Sequence, residues 1–266
     1  MKESHESATE KRNPMRTSVI MAAYNRGNDI RPSIDAILCQ SDDDLELIIV
    51  NDGSSDDTEQ NVLEYKDPRI VYLKKDNGGQ ASARNLGLKY ARGQYIAYCD
   101  HDDIYHKDHV KTLAEFLDCN QAVDAVYSNA NFIVFGRFDR VTDFSSPRKD
   151  PEKDLYFVPM PSTVMHRKTA IEKTGLWDDH EIIRMGGEDW DLWLRFKEKL
   201  KIAHLDKVLT DYCLHGQNMN TGKIRRKAIV MTRAYVFTKR FKERMKTLGV
   251  VKALIESAPE YGRIFG

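Results

Sequence analysis

The segment Tyr95-Ile96-Ala97-Tyr98-Cys99-Asp100-His101-Asp102-Asp103 is the part of the sequence from which the fold is predicted. Its apolar first half follows Gly93 and is typical of a short buried strand. Three carboxylates then follow within four residues, and like charges at roughly 4 Å repel by ~1 kcal/mol in water and ~4 kcal/mol near a protein surface. Hard cations such as Mg²⁺ or Mn²⁺ take oxygen ligands of this kind and usually bind phosphates as well. The alternative is a solvated turn in which Asp102 or Asp103 caps the next helix.

Strands and helices alternate on the N-terminal side of this segment. Hydrophobic runs predict strands at Thr17–Ala23, Leu45–Val50, Arg69–Leu73 and Tyr95–Cys99, and helical spacing predicts helices at about Asp29–Cys39 and Gln80–Ala91. This alternation is typical of an α/β fold with a parallel, doubly wound sheet. Residues 1–16 are polar and aperiodic, and we expect a disordered tail there.

Polar residues follow the carboxyl ends of the predicted strands. They are Tyr24-Asn25-Arg26, Asp52, Asn77-Gly78-Gly79 and Asp100–Asp103. Open parallel sheets bind ligands at this edge, so we expect the four groups to converge in one site. The sequence has no Gly-x-Gly-x-x-Gly after the first strand and no Gly-x-x-x-x-Gly-Lys-Ser/Thr, which argues against a dinucleotide-binding fold and a P-loop.

The composition excludes several classes of protein. The 266 residues suffice for one elaborated domain, and 41 basic residues balance 41 acidic ones. A chain without net charge is unlike a nucleic-acid binder that neutralises many phosphates. We recognise neither an apolar run of the ~18 residues that a membrane span needs nor a signal peptide, so a cytoplasmic protein is expected. Cys39, Cys99, Cys119 and Cys213 are scattered, which predicts neither disulfides nor a zinc ribbon.

The second half of the chain has less regular patterns. Strands are predicted at Val123–Ser128 and Asn131–Phe135, a mobile loop at Gly136–Asp154 and an extended segment at Leu155–Met165. A basic helix is predicted at Lys223–Met245, and its apolar residues Ile224, Met231, Tyr235, Phe241 and Met245 are expected to pack on the domain. The basic face would then lie in solvent or, alternatively, contact anionic lipid headgroups.

A second group of carboxylates lies in Gly186-Gly187-Glu188-Asp189-Trp190-Asp191. Leu192, Trp193, Phe196 and Leu200 follow Asp189 by three, four, seven and eleven residues, so a helix would place Asp189 on its buried face. A carboxylate that points inward usually has a partner or a function, and the helix N-terminus would help to keep it ionised. Glu188 and Asp191, on other faces, fit a helix-capping role better, and capping is also the alternative for Asp189.

Five motifs together resemble those of the family 2 inverting glycosyltransferases, which have a nucleotide-diphospho-sugar transferase (GT-A) fold. The matching residues are Val19–Arg26, Ile48–Asp56, Asn77-Gly78-Gly79 with Ala83-Arg84-Asn85, Asp100–Asp103, and Gly187-Glu188-Asp189. The resemblance covers about residues 17–220. It implies a single α/β domain with a Rossmann-like, mostly parallel central sheet, helices on both faces and a C-terminal helical extension. On that basis we divide the chain into a tail (1–16), a domain (17–220) with nucleotide-binding (17–103) and acceptor-binding (104–220) halves, and an extension (221–266).

The resemblance also implies roles for individual residues. The nucleotide of the donor, typically a UDP-sugar, would be contacted by Tyr24, Arg26, Asp52, Arg84, Asp100 and His101, with Asp52 on the base and Asp100 on the ribose. Asp102 would ligate the Mg²⁺ or Mn²⁺ that bridges the diphosphate, and His215 would add a metal or phosphate contact. Asp189 would be the general base that takes a proton from the acceptor hydroxyl. His101 and Cys213 depart from the residues that relatives often have at these places.

The resemblance predicts a transferase that adds one sugar per encounter, because the Gln-x-x-Arg-Trp motif and the membrane helices of processive synthases are absent from this sequence. Its acceptor would be a glycan or a lipid-linked molecule. Two other functions stay open at this point. One is a non-catalytic module that binds a nucleotide sugar or glycan. The other is a sugar nucleotidylyltransferase, although the first strand lacks the glycine-rich, basic signature of that class. A metal-dependent phosphatase fits the sequence less well, since its paired aspartates normally follow the first strand.

Overall fold

A computed structural model describes residues 15–27, 29–134, 141–142, 159–214 and 223–248, and four parallel strands form the first half of its sheet. These strands are β1 (Thr17–Ala23), β2 (Leu45–Asn51), β3 (Ile70–Lys74) and β4 (Tyr95–Tyr98), in the order β3-β2-β1-β4. Every residue of β1, β2 and β4 is buried, as the continuous apolar runs predicted. The four predicted strands are confirmed to within one residue at each end.

Helices cover both faces of the sheet, as expected. The described helices are α1 (Ile30–Leu38), α2 (Thr58–Leu63), α3 (Gln80–Tyr90), α4 (His109–Cys119), α5 (Lys168–Thr174), α6 (Glu188–Lys199) and α7 (Lys223–Leu248). Alternate residues of β1 enter two different cores. Val19 packs with residues of α1 and α4 on one face, and Ile20 packs with residues of α3 and α6 on the other.

The second half of the chain continues the same sheet with mixed strand directions. Its strands are β5 (Ile104–Tyr105), β6 (Ala125–Val134), β7 (Val141–Thr142), β8 (Val164–Arg167) and β9 (Ile202–Leu214). The order continues β4-β8-β6-β9-β5, with β8 antiparallel to both neighbours and β6 parallel to β9. The sheet is therefore wholly parallel only in its first half.

Two predictions for this half are wrong. The separate strands at Val123–Ser128 and Asn131–Phe135 are one strand, β6, whose register against β9 shifts between Ser128 and Ala130. That irregularity interrupts the apolar alternation, which is why the pattern indicated two strands. The extended segment at Leu155–Met165 contains a 3₁₀ turn at Pro161–Thr163, and β8 begins only after it. Most of the Gly136–Asp154 loop and residues 1–14 of the predicted tail lie outside the described residues.

The basic helix α7 docks through a stripe that differs from the predicted one. Thr232, Val236 and Arg240 are buried at helical spacing, whereas Met231, which was expected to dock, is 42% exposed. Arg240 and Lys239 also form ion pairs with carboxylates of the domain, so part of the basic face is not in solvent. The predicted stripe is confirmed at Tyr235, which packs against Ile183, Leu194 and Val236, but polar side chains form much of the rest of the contact.

The remaining expectations concern membrane spans and cysteines. None of the helices in the described ranges is long and apolar enough to cross a membrane. All four cysteines are free thiols, with Cys99 and Cys213 buried and Cys39 and Cys119 exposed, so the prediction of no disulfide is confirmed.

Candidate active site

The loop after β1 is fastened to the loop after β2. The Asn25 side chain accepts a hydrogen bond from the Ser55 amide at 2.8 Å, and the Arg26 amide donates to the Thr58 hydroxyl at 2.9 Å. Asn25 has a φ of +51°, which asparagine tolerates better than most residues. The ring of the neighbouring Tyr24 is about half exposed at this edge of the sheet. The structure thus brings two of the predicted nucleotide contacts, Tyr24 and Arg26, to the expected edge.

Asp52, at the end of β2, organises the loop that precedes α3. Its carboxylate is only 4% exposed and accepts hydrogen bonds from Lys75 Nζ at 2.7 Å, the Gly78 amide at 2.9 Å and the Gly79 amide at 2.7 Å. Gly79 has a φ of +88°, a conformation that favours glycine. Asp52 therefore holds the Asn77-Gly78-Gly79 loop in place. Its contact with a nucleotide base stays a prediction.

The acidic segment after β4 divides into two environments. Asp103 is fully buried and accepts hydrogen bonds from the Ser162 hydroxyl and, at 3.2 Å, from the Cys213 amide. Burial, with Asp100 and Asp102 nearby, raises the pKa of Asp103 well above its usual range. The alternative of a solvated N-cap is wrong, because Asp103 lies in the interior and α4 begins only at His109.

His101 and Asp102 are partly exposed, in contrast to Asp103. Their side chains are 15% and 14% exposed, and His101 Nε2 lies 3.9 Å from Asp102 Oδ2. Burial lowers the pKa of His101, although the two neighbouring aspartates favour the protonated ring. The Ser33 hydroxyl of α1 donates to the His101 carbonyl at 2.9 Å and so attaches the backbone of the acidic segment to that helix. The ring of His101 therefore lies beside the neighbouring Asp102, and its contact with the nucleotide stays a prediction.

Asp102 suits a divalent cation that is shared with a substrate. Within the described ranges, no three His, Cys, Asp or Glu side chains are grouped so that they would hold a metal ion by themselves. Mg²⁺ commonly takes one or two carboxylates and completes its shell with water and substrate phosphates. The partly exposed carboxylate of Asp102 fits that donor set. His215, the second predicted ligand, lies outside the described residues.

Arg84 connects the two acidic parts of the site. Its guanidinium is 2% exposed, donates to Asp100 Oδ1 at 2.7 Å and Glu188 Oε1 at 3.3 Å, and lies 4.5 Å from the centre of the Trp177 ring. The sequence predicted that Arg84 would approach the nucleotide. In the structure its Nη1 and Nη2 atoms each bond to a carboxylate, and its contact with the nucleotide stays a prediction.

Glu188 and Asp189 begin α6 and have different surroundings. Glu188 is buried, and burial, with the charge of Asp189, raises its pKa to about 7. Asp189 is partly exposed, its Oδ1 accepts the Trp190 amide at 2.7 Å, and burial raises its pKa as well. Arg84 opposes both shifts. One guanidinium thus faces three carboxylates, and that excess of negative charge favours the protonated forms.

The expectation that Glu188 and Asp191 cap the helix is wrong, because Glu188 bonds to Arg84 and the cap at Gly187 has no side-chain hydrogen bond. Asp191 is 1% exposed and bonds to Arg195 at 2.7 Å, and residues 191–196 are all buried. The reason is that α6 packs against two partners, the sheet through Leu192 and Phe196 and the helix α7 through Leu194. A single apolar stripe describes a helix with one buried face and so missed this arrangement.

Sequence patterns also missed residues that hold the site together. Ser162 donates to Asp103 and accepts the Asp100 amide at 3.0 Å, and Lys75 neutralises Asp52. Ser162 comes about sixty residues after the acidic segment and belongs to no motif, so the sequence carries no signal for it. Lys75 lies two residues before the Asn77-Gly78-Gly79 motif. A basic residue so close to that motif was the one indication that Asp52 would have a cationic partner.

Comparisons of sequence identify relatives of this chain. A family model described as Glycosyl transferase family 2 matches residues 18–176. An uncharacterized glycosyltransferase of Rickettsia prowazekii is 32% identical over 221 residues, which cover 77% of this chain and 66% of that protein. The Escherichia coli protein named UDP-Glc:alpha-D-GlcNAc-diphosphoundecaprenol beta-1,3-glucosyltransferase WfaP is 29% identical, over 78% of this chain and 81% of its own length. The chain spans only about a third of the length of several other Rickettsia relatives.

Two solved structures share the fold. Staphylococcus aureus TarS 1-349 in complex with UDP-GlcNAc aligns with a TM-score of 0.67 at 20% identity, over 94% of this chain and 79% of that chain. The mannosyltransferase PcManGT from Pyrobaculum calidifontis, in complex with GDP-Man and Mn²⁺, aligns with a TM-score of 0.65 at 17% identity, over 97% of this chain and 79% of that chain. At such identities the likeness concerns the fold alone, and it confirms the predicted GT-A architecture.

Proposed function

The chain belongs to the family 2 glycosyltransferases, and from this premise we propose that it moves one sugar per encounter from a nucleotide-diphosphate sugar to an acceptor hydroxyl. The proposal includes a UDP-sugar as the donor, a divalent metal ion as the cofactor and inversion at the anomeric carbon. The acceptor would be a glycan or a lipid-linked molecule in polysaccharide or glycoconjugate synthesis.

The observation that carries this proposal is the link that Arg84 makes between two acidic groups on different elements. Asp100 belongs to the segment after β4 and Glu188 to the start of α6, and one buried guanidinium bonds to both. Metal-assisted sugar transfer uses one carboxylate to hold the cation at the diphosphate and a second one as the base at the attacking hydroxyl. The shared contact with Arg84 supports the proposal, because it joins the acidic segment after β4 to the carboxylates at the start of α6.

Asp189 is the proposed general base. A sugar hydroxyl is a weak nucleophile, and a carboxylate that removes its proton during attack accelerates the displacement. Asp189 is partly exposed, whereas its neighbour Glu188 is buried and bound to Arg84. The raised pKa of Asp189 brings it closer to the working pH, where a base is more effective. Only the ionised form can accept the proton, so the rate should rise with pH through this pKa.

Asp102 is the proposed metal ligand. A bound Mg²⁺ or Mn²⁺ would neutralise the charge that develops on the departing diphosphate. The chain itself would orient the donor, with Asp100 on the ribose, the exposed ring of Tyr24 against the base and Asp52 holding the glycine loop at the start of α3. His215 and Arg26 would add phosphate or nucleotide contacts.

The relatives support a donor and an acceptor class. WfaP is named for UDP-Glc and a diphosphoundecaprenol acceptor, and TarS was solved with UDP-GlcNAc. GDP-Man, found with Mn²⁺ in the mannosyltransferase, is the competing donor. A lipid-linked acceptor would bring the enzyme to a membrane surface, where exposed cations of α7 such as Lys242 and Lys246 would favour anionic headgroups.

The test is donor turnover. The purified protein would receive UDP-Glc, UDP-GlcNAc, UDP-Gal or GDP-Man with Mn²⁺, Mg²⁺ or a chelator, and release of the nucleoside diphosphate would be followed. We expect slow, metal-dependent hydrolysis of one donor that Asp189→Asn abolishes. Asp179→Asn, which changes an exposed carboxylate nearby, is the matched control and should retain the activity.

Four outcomes contradict parts of the proposal. Donor binding without turnover in the natural protein would favour the binding-module alternative. Turnover that survives chelation would exclude the metal role of Asp102, and turnover that survives Asp189→Asn would exclude Asp189 as the base. A ladder of long products from a single acceptor would show a processive enzyme.

A further inference from the structure

The turn that precedes α6 is held from behind by α7. The Thr232 hydroxyl donates to the Gly186 carbonyl at 2.9 Å and lies 3.4 Å from the Ile182 carbonyl. Ile183 in the turn and Val236, one helical turn after Thr232, are both fully buried and pack together with Leu194 of α6. A side chain of a separate element therefore fixes the backbone that leads into the carboxylates.

Gly187 allows the turn and α7 to approach each other closely. It has a φ of +102°, and a Cβ placed on it would lie only 2.6 Å from Thr232 Cγ2. The methyl group of Thr232 thus lies directly against the residue before Glu188 and two residues before Asp189. The hydroxyl and methyl groups of Thr232 together restrain the position of the backbone at Gly186 and Gly187 and the direction in which it enters α6.

Ion pairs fix the register of α7 along the same surface. Lys239 Nζ lies 2.7 Å from Asp178 Oδ2 and 3.4 Å from Asp191 Oδ1, and the Tyr235 hydroxyl donates to Asp178 at 3.0 Å. Asp191 belongs to the first turn of α6 and is almost fully buried. A shift of α7 by one residue would break these contacts and would also move Thr232 away from Gly186.

We propose that Thr232 is a positioning residue for Asp189, and that α7 is therefore part of the catalytic architecture. The proposal rests on the proposed role of Asp189 as the general base. It concerns a part of the chain that the family model, which ends at residue 176, does not reach. Small displacements of a catalytic group away from its productive geometry lower the chemical rate more than they lower substrate binding.

The test compares three substitutions in α7. Thr232→Val keeps a branched side chain against Gly187 but removes the hydroxyl, and Thr232→Ser keeps the hydroxyl. Thr238→Val is the matched control, because the Thr238 hydroxyl bonds within its own helix, to the Ala234 carbonyl at 2.8 Å, on an exposed face. Each variant would be assayed for kcat and for the KM of the donor, and hydrogen exchange would be measured by mass spectrometry over residues 183–189.

We expect Thr232→Val to lower kcat on the order of tenfold with little change in the donor KM, and to accelerate exchange over residues 183–189. Thr232→Ser should recover most of kcat, and Thr238→Val should match the natural protein. If Thr232→Val does not fold, Thr232→Ala against Thr232→Ser isolates the same hydroxyl. Equal kcat in Thr232→Val and in the Thr238→Val control would overturn the proposal, and so would unchanged exchange over residues 183–189.

The exchange measurement separates this proposal from the proposed function. If the natural protein turned over none of the nucleotide sugars, the assignment of a transferase would fail while the exchange result still decided whether Thr232 holds the turn. If turnover occurred but Thr232→Val lowered donor affinity and kcat equally, α7 would act on overall stability and the positioning role would be wrong.

Discussion

Replacing Glu188 by glutamine should make the protein less sensitive to alkaline pH. Burial raises the pKa of Glu188 from 4.5 to about 7, so the folded state binds this proton more tightly than the unfolded state. The stability that this group contributes is present at low pH and is lost as the pH rises from the unfolded pKa through the folded one. Glutamine removes the charge and leaves an amide oxygen that still accepts the hydrogen bond from Arg84 Nη1.

The expected change in the free energy of unfolding can be calculated from the pKa shift of Glu188. One pKa unit corresponds to about 1.4 kcal/mol. Relative to low pH, where Glu188 is protonated in both states, ionisation of Glu188 lowers the free energy of unfolding of the natural protein by roughly 1 kcal/mol at pH 5 and roughly 3 kcal/mol at pH 8. We therefore expect the free energy of unfolding of Glu188→Gln, minus that of the natural protein, to be about 2 kcal/mol larger at pH 8 than at pH 5, so the variant is relatively more stable at the higher pH. Glu188 is buried, so solvent screening does not reduce this difference much.

Urea denaturation at pH 5, 6, 7 and 8 would measure the difference in the free energy of unfolding between Glu188→Gln and the natural protein. Trp177, Trp190 and Trp193 lie around the site, and their fluorescence would report unfolding there. Glu181→Gln, which neutralises an exposed carboxylate seven residues earlier, is the control and should show no such pH dependence. A difference between Glu188→Gln and the natural protein that is the same at every pH would refute the reasoning.

Three further predictions follow from contacts in the site. Arg84→Met should lower the free energy of unfolding by about 3–5 kcal/mol in denaturant titrations, because it leaves Asp100 and Glu188 without their buried counter-charge; a loss below about 1 kcal/mol would contradict this. Gly187→Ala should lower the melting temperature and kcat, since a Cβ there meets Thr232 Cγ2 at 2.6 Å in a backbone conformation that costs alanine about 1–2 kcal/mol; normal kcat would argue against a tightly packed turn. Asp102→Asn should raise the Mn²⁺ concentration needed for half-maximal donor turnover on the order of tenfold, and an unchanged requirement would exclude Asp102 as a ligand.

The parallel half of the sheet was predictable because its physical signal is local. β1, β2 and β4 are buried on both faces, so their residues form apolar runs that end sharply where the chain reaches the ligand edge. By contrast, β9 carries His204, Asp206 and Lys207 among its apolar residues, because much of it is only partly buried, and its strand pattern was not recognised. The short helices α2 and α5 have six and seven residues, too few for a periodic pattern to stand out.

The site was predictable at the level of motifs but not of partners. The sequence indicated that Asp52 and Asp100 would belong to one site, since both follow the ends of parallel strands, and the family resemblance added Asp189. It did not indicate that Arg84 would bind Glu188, 104 residues away, or that Ser162 would join two acidic residues. Contacts of this kind depend on how distant segments pack, and one sequence contains no periodicity that encodes them.

Two distant parts of the chain contact the segment that precedes Asp189. From the N-terminal half, Arg84 draws Glu188 toward Asp100, and from the C-terminal side, Thr232 holds the carbonyl two residues before Glu188. Neither contact alone determines the direction of the Asp189 side chain, because the turn between them contains two glycines with positive φ. Such a turn is conformationally permissive and needs restraint on both sides to give one geometry. The family motif thus identifies the proposed base, Asp189, in the sequence, and contacts of Arg84 and α7 restrain the residues that precede it.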